Sequence, residues 1–131
     1  MRFDVDSAGA TLAAFVGTMD RAGFGGRYWL TKGALLGFCR QGDFIAHDGD
    51  IDFGMFADDY DERLVPALEK AGFRLIKQTG RVENGLTMTF TDGRTKVDIF
   101  FHYRDDDGFW HAVTNGPPQV RYRYPHFGLA P

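Results

Sequence analysis

The chain has a single cysteine, no long apolar run and no excess of positive charge, and each shortage excludes a class of protein. Cys39 cannot form an internal disulfide or a cysteine-based zinc cluster, so we expect a cytoplasmic location in which thiols stay reduced. No apolar stretch approaches the roughly 20 residues that span a membrane, so no membrane span is expected. The net charge of −3 offers no basic surface, so no nucleic-acid partner is expected.

The composition supports a folded core. Of the 131 residues, 44% are hydrophobic and 15% are aromatic, which excludes a disordered chain. The first residues carry Asp4 and Asp6 before any apolar run, so a signal peptide is not expected. No repeat, low-complexity segment or linker interrupts the sequence. We therefore expect residues 1–131 to form a single domain.

Hydrophobic periodicity predicts helices and strands in mixed order. The helices are expected at about 7–22, 33–40 and 60–71, and Asp58 or Asp59 is the predicted cap of the third. The strands are expected at 27–30, 50–56, 73–80, 85–93 and 96–103, with short strands or coil in the tail. This order predicts an α+β fold with one mixed sheet and helices packed mainly on one face.

Aspartates occupy alternate positions in the stretch "DIDFGMF". Successive side chains of a strand point to opposite faces, so Asp50 and Asp52 share one face while Ile51 and Phe53 enter the core on the other. Asp48 joins the two if the strand starts early. Two neighbouring carboxylates repel each other, and a bound divalent cation relieves that repulsion. Because carboxylates provide only oxygen ligands, we expect Mg²⁺ or Mn²⁺.

A third acid lies in the stretch "KVDIFFHY". Asp98 stands between Val97 and Ile99, where burying a carboxylate without a partner is costly. If this strand lies beside residues 50–56, Asp98 completes a three-carboxylate cluster. Such a cluster can hold two metal ions about 3.5–4 Å apart and clamp a phosphoryl group. His102 shares the face of Asp98, and a structural or surface role is the expected one.

The acidic stretch has two other interpretations. Acidic pairs also occur on solvated strand edges, where they bind nothing. The letters "DGDID" resemble the start of an EF-hand calcium loop. That interpretation fails because Phe53 stands at the sixth position, where glycine is needed, and Asp59 stands at the twelfth, where glutamate normally closes the loop.

A glycine turn precedes the acidic strand. The stretch "YWLTKGALLGFCR" is typical of a strand, a turn and a helix, and Gly33 permits the tight turn. Free N–H groups at a helix start attract phosphate, and Lys32 adds a positive charge there. Many such turns merely connect two elements, but this one stands directly before the acidic strand.

Together these segments resemble the LicD/fukutin family of the nucleotidyltransferase-fold superfamily, and its fukutin branch in particular. The pattern "Gly-x-LLG-x-x-Arg" runs from Gly33 to Arg40, and "D-x-D-I-D-x-G-M" runs from Asp48 to Met55. The pieces "LEKAGFRLIKQTGRVENGLTMTF", "KVDIFFHY", "DGFWHA" and "YRYPHFGL" continue it. The resemblance covers about residues 27–129.

The resemblance implies a nucleotidyltransferase (DNA polymerase β-like) fold and a metal-dependent phosphotransferase. Family members move a phospho-alcohol, such as phosphocholine or ribitol phosphate, from a CDP-linked donor to a glycan hydroxyl. Carried over by position, Asp50, Asp52 and Asp98 would be catalytic and would bind Mg²⁺ or Mn²⁺. Asp98 would also accept the proton of the attacking hydroxyl.

The same resemblance places the donor phosphates at the glycine turn. Gly33 and Ala34 would contact them, with Lys32 or Arg40 offsetting their charge. Ala34 departs from the family, which often has Thr or Ser there, so one hydroxyl contact is missing.

Two alternatives remain open. One is a minimal nucleotidyltransferase that moves a nucleoside monophosphate to protein or RNA, as in some toxin–antitoxin systems. The 17-residue gap from Gly33 to Asp50 and the "LLG-x-x-R" helix argue against it. The other is a degenerate domain that only binds a nucleotide, which the retention of all three acids disfavours.

Overall fold

The computed structural model describes residues 5–31, 50–105, 108–112 and 121–125, with side chains for 9–31, 51–105 and 108–111. The helices are α1, Val5–Arg21, and α2, Leu64–Lys70, and a short 3-10 turn covers Ala57–Asp59. The strands are β1 Tyr28–Leu30, β2 Asp50–Phe56, β3 Arg74–Arg81, β4 Asn84–Thr91, β5 Lys96–Asp105, β6 Gly108–Ala112 and β7 Arg121–Pro125. Each strand predicted from the sequence is present, and the helix predicted at 33–40 lies outside the described residues.

The strands form one mixed sheet. Its order is β1-β2-β5-β4-β3, and β6 and β7 extend it from the end of β5. The pair β2–β5 is parallel, and the other described pairs are antiparallel. The predicted α+β class with a mixed sheet is therefore confirmed.

Both described helices pack on the same face of this sheet. In α1, the ring of Phe15 stacks on Phe53 of β2 with centroids 4.7 Å apart, and it meets Phe73 edge to face. In α2, Leu64 and Leu68 are fully buried in the same core. Burying one such side chain contributes about 1.5–3 kcal/mol, so these contacts fix the helices on the sheet. We call the opposite face of the sheet the site face.

The second helix begins later than the sequence predicted. Asp58 and Asp59 belong to the 3-10 turn and do not cap α2, which begins at Leu64. Pro66 explains the difference, because proline has no N–H to donate and fits only the first turn of a helix. A helix from residue 60 would place Pro66 in its interior. The helix ends at Lys70, and Gly72, the predicted stop, follows its last turn with a φ of 97° that suits glycine.

No helix among the described residues is both long and apolar enough to cross a membrane.

Candidate active site

Asp52 and Asp98 lie side by side on the site face. The parallel register of β2 and β5 pairs their Cα atoms directly, and neighbouring strands lie about 4.8 Å apart. Paired residues point to the same side of a sheet, and the flanking Ile51, Val97 and Ile99 are buried in the core on the other side. Asp98 is only 9% exposed, and Asp52 is half-buried. The alternation of acidic and apolar residues therefore brings two carboxylates together although they lie far apart in the chain.

The third predicted acid, Asp50, is the first residue of β2. Its Cα atom pairs with that of Lys96. Its side chain lies outside the description, and the described side chains contain no group of three His, Cys, Asp or Glu residues that could hold a metal ion. The structure thus brings two of the three predicted acids together, and the complete set of three stays a prediction.

A buried threonine holds the carboxylate of Asp98. Thr89 of β4 pairs with Asp98 in the antiparallel register, and its hydroxyl donates a 2.5 Å hydrogen bond to Oδ1. Thr89 is 8% exposed, so this bond is shielded from solvent. Thr89 is not among the site residues predicted from the sequence. The signal for it is the alternation of Thr87, Thr89 and Thr91 in "LTMTFT", which indicates a polar face on a strand.

An aromatic–histidine cluster covers the site face beyond the acids. Its members are joined by ring contacts with centroids 4.7–6.3 Å apart. They are Trp29, Phe56, Phe100, His102, Phe109 and His111. The guanidinium of Arg104 lies 3.9 Å from the ring centre of Phe56. These rings pack over the C-terminal part of β2 and β5, on the same face as Asp52 and Asp98.

His102 is a buried titratable group of this cluster. The pKa of His102 is lowered to about 4, mainly by burial and also by the neighbouring His111, while a contact with the Phe100 carbonyl opposes both. Nδ1 lies 2.9 Å from that carbonyl oxygen, so the neutral ring donates its proton there. His102 is therefore uncharged at neutral pH, which suits the structural role that the sequence suggested.

The chemistry of the two described acids fits a hard divalent cation. Both groups offer carboxylate oxygens, which are the ligands that Mg²⁺ and Mn²⁺ prefer. Two carboxylates at paired positions repel each other, and the nearly buried Asp98 has little water to screen it. The ligand type of Asp52 and Asp98 and their adjacent strand positions therefore fit such a cation.

The residues predicted to hold the donor phosphates, Lys32, Gly33, Ala34 and Arg40, lie outside the described residues. The structure does describe the strand that leads to them. β1 ends at Leu30, and the backbone N–H of Thr31 donates a 3.0 Å hydrogen bond to the carbonyl of Asp52. Thr31, the last described residue before the predicted glycine turn, therefore lies beside the acidic strand.

Residues 25–131 match the family described as "LicD/FKTN/FKRP, nucleotidyltransferase domain". The chain belongs to this family, as the resemblance predicted. Ribitol-5-phosphate transferase FKTN of Macaca fascicularis is 35% identical over 106 residues, which are 78% of this chain and 23% of that protein. FKTN of Homo sapiens is 34% identical over 106 residues, with the same shares of each chain.

A shorter match is to Ribitol 5-phosphate transferase FKRP of Homo sapiens, which is 48% identical over 44 residues, or 34% of this chain and 8% of that protein. The matches to FKTN confirm the predicted similarity to the fukutin branch. The chain corresponds to about a quarter of the length of the FKTN relatives, since the match covers 23% of each.

Proposed function

We propose that this chain is a metal-dependent phosphotransferase with a nucleotidyltransferase (DNA polymerase β-like) fold. It moves a phospho-alcohol, such as ribitol phosphate or phosphocholine, from a CDP-linked donor to a glycan hydroxyl. The pairing of Asp52 with Asp98 on parallel strands carries this proposal, because it provides two convergent carboxylates in a member of the family. The names of the relatives FKTN and FKRP, both ribitol phosphate transferases, support transfer of a phosphorus-containing group.

Asp50, Asp52 and Asp98 would hold the divalent cation, Mg²⁺ or Mn²⁺. When bound, such an ion neutralises charge on a transferring phosphoryl group. Asp52 and Asp98 come from the two central parallel strands, so the sheet itself keeps their backbones at a fixed separation. Phosphoryl transfer depends mainly on positioning and charge neutralisation, which rigid strands are suited to provide.

The transfer conserves every atom of donor and acceptor. The acceptor oxygen forms a new bond to the phosphorus that bears the alcohol, and the bond from that phosphorus to the bridging oxygen breaks. CMP leaves with the bridging oxygen, and Asp98 takes the proton of the acceptor hydroxyl. Lys32, Gly33, Ala34 and Arg40 hold the donor phosphates, where cations and backbone N–H groups offset negative charge.

A donor screen tests the proposal. The protein is incubated with Mg²⁺, a glycan acceptor and one of CDP-ribitol, CDP-choline or CDP-glycerol, and CMP is measured by chromatography. Mass spectrometry of the acceptor should show the added phospho-alcohol. EDTA and Asp52→Asn should each abolish both products. Asp58→Asn is the matched control, because Asp58 is 83% exposed and lies in the 3-10 turn, away from the acids.

The two alternatives give different outcomes in the same assay. Release of pyrophosphate from a nucleoside triphosphate, with a labelled protein or RNA, would identify a nucleotidyltransferase and contradict the proposal. Binding of CDP and Mg²⁺ in calorimetry without turnover of any donor would identify a degenerate binding domain. A wild-type protein that binds neither Mg²⁺ nor CDP would contradict both the proposed function and this last alternative.

A further inference from the structure

We propose that Thr89 is a positioning residue for the third acid, and that its hydroxyl fixes Asp98 in the orientation in which it binds the cation. This inference rests on the proposed function and adds a residue to it. Thr89 does not touch the substrate or the cation in this scheme. It acts through Asp98.

The geometry of the hydrogen bond carries the proposal. Thr89 and Asp98 are directly paired in the β4–β5 register, and the hydroxyl oxygen lies 2.5 Å from Oδ1. Both residues are nearly buried, at 8% and 9% exposure, so water competes little for this bond. Within the described part of the chain, it is the one hydrogen bond that the carboxylate of Asp98 accepts.

The carboxylate of Asp98 has two oxygens, and Thr89 occupies one of them. A hydrogen bond at Oδ1 removes the rotational freedom of the side chain and leaves Oδ2 for another partner. Groups that hydrogen-bond to metal ligands orient them, and their loss typically costs about 10–100-fold in metal affinity or activity. Asp98 lies between Thr89 on β4 and Asp52 on β2. The hydroxyl of Thr89 therefore contacts the carboxylate of Asp98 from the β4 side, and Asp52 lies on the β2 side.

The same strand provides a matched control. Thr87 is two residues before Thr89, so it faces the same side of β4. Thr87 is 2% exposed, and its hydroxyl oxygen is buried without a hydrogen-bond partner among the described residues. Thr87→Val and Thr89→Val therefore make the same chemical change at neighbouring buried sites. Only the second removes a hydrogen bond to Asp98.

The experiment measures Mn²⁺ binding by electron paramagnetic resonance in the full chain, together with kcat and KM for the donor. Thr89→Val should weaken Mn²⁺ binding by about tenfold or more and lower kcat with little change in KM. Thr89→Ser keeps the hydroxyl and should restore most of both. Thr87→Val should leave both unchanged. In an Asp98→Asn background, Thr89→Val should cause little further loss.

The outcomes separate this inference from the proposed function. Equal Mn²⁺ affinity in wild type and Thr89→Val, or equal losses in Thr87→Val and Thr89→Val, would overturn the role of Thr89 alone. A wild type that binds no Mn²⁺ and turns over no donor would overturn the proposed function and this inference together. Circular dichroism checks folding, and Thr89→Ala replaces the valine variant in every comparison if the latter does not fold.

Discussion

The indole of Trp29 lies directly across the backbone of Gly54, two residues after Asp52. The two residues are paired in the antiparallel register of β1 and β2. A Cβ atom added at Gly54 would lie 2.4 Å from Cε2 and Nε1 of the indole, which no real contact allows. Trp29 also contacts the rings of Phe56 and His102. The absence of a side chain at Gly54 therefore allows the indole to join the aromatic–histidine cluster beside the acids.

Replacing Gly54 by alanine should displace Trp29 and destabilise the protein. Forcing one extra carbon into a packed region typically costs about 1–3 kcal/mol. We expect a lower free energy of unfolding in urea and a changed tryptophan fluorescence spectrum, because the indole must leave its contacts.

The control for this substitution is Gly9→Ala. Gly9 lies in α1, where an added Cβ would have no atom within 4 Å, and alanine favours a helix over glycine by about 1 kcal/mol. Gly9→Ala should therefore be neutral or stabilising. The double variant Gly54→Ala/Trp29→Leu should lose less stability than the sum of its two single variants. Additive losses would show that the indole and Gly54 do not interact as described.

The repulsion between Asp52 and Asp98 should make the protein respond to divalent cations. We expect Mg²⁺ or Mn²⁺ to raise the midpoint of thermal unfolding, because a ligand that binds the folded state stabilises it. Asp52→Asn and Asp98→Asn should each remove this increase and should leave the metal-free protein as stable as wild type or more so. Differential scanning calorimetry with EDTA or with added Mg²⁺ measures both effects.

The exposed Asp58 again gives the control, and Asp58→Asn should keep the full response to the cation. A wild-type unfolding midpoint that does not change with Mg²⁺ or Mn²⁺ would contradict the predicted cation site. An unchanged response in Asp98→Asn would show that the cation binds elsewhere.

The sequence predicted β2 and β5, and the alternation of Asp52 and Asp98 with buried apolar neighbours, because these features are local. Which strands become neighbours depends on long-range packing, so the direct pairing of Asp52 with Asp98 could be stated only as a condition. Thr89 was missed for the same reason, since a threonine in a strand has no evident role until its neighbour is known. The predicted start of α2 is wrong because acids at 58 and 59 favour a helix start there, whereas Pro66 restricts the helix to one that begins at Leu64.

Helix α1 is tied to the β4–β5 turn by one hydrogen bond between distant parts of the chain. The hydroxyl of Thr11 donates to Oδ2 of Asp92, 81 residues away, at 2.5 Å. Burial alone would raise the pKa of Asp92, but this bond and those from the backbone N–H groups of Thr95, Arg94 and Asp92 itself outweigh burial and lower it. Thr11 is 2% exposed, so its hydroxyl has little access to water.

Thr11→Val should therefore reduce the free energy of unfolding by about 1 kcal/mol at neutral pH. The difference from wild type should shrink as the pH falls below 3.8 and through the lowered pKa of Asp92, because protonation removes the charged acceptor. Thr11→Ser keeps the hydroxyl and should behave as wild type. A Thr11→Val variant as stable as wild type would contradict a stabilising role of this hydrogen bond.

The buried His102 should make folding stability depend on pH in a defined window. Its pKa is lowered from 6.5 to about 4 in the folded protein, so the unfolded chain binds more protons between these values. The free energy of unfolding is therefore not reduced by His102 above the unfolded pKa of 6.5. It declines as the pH falls from 6.5 to about 4, by up to about 3 kcal/mol. His111, Trp29 and Phe56 pack against the ring, and His111 adds to the penalty for charging it.

His102→Gln cannot gain this proton, so its urea-unfolding free energy should change less than that of wild type between pH 7.5 and pH 4.5. Because glutamine also alters packing, the decisive quantity is the change with pH within each protein. Parallel pH profiles for the two proteins would show that His102 is charged as readily in the folded state as in the unfolded one.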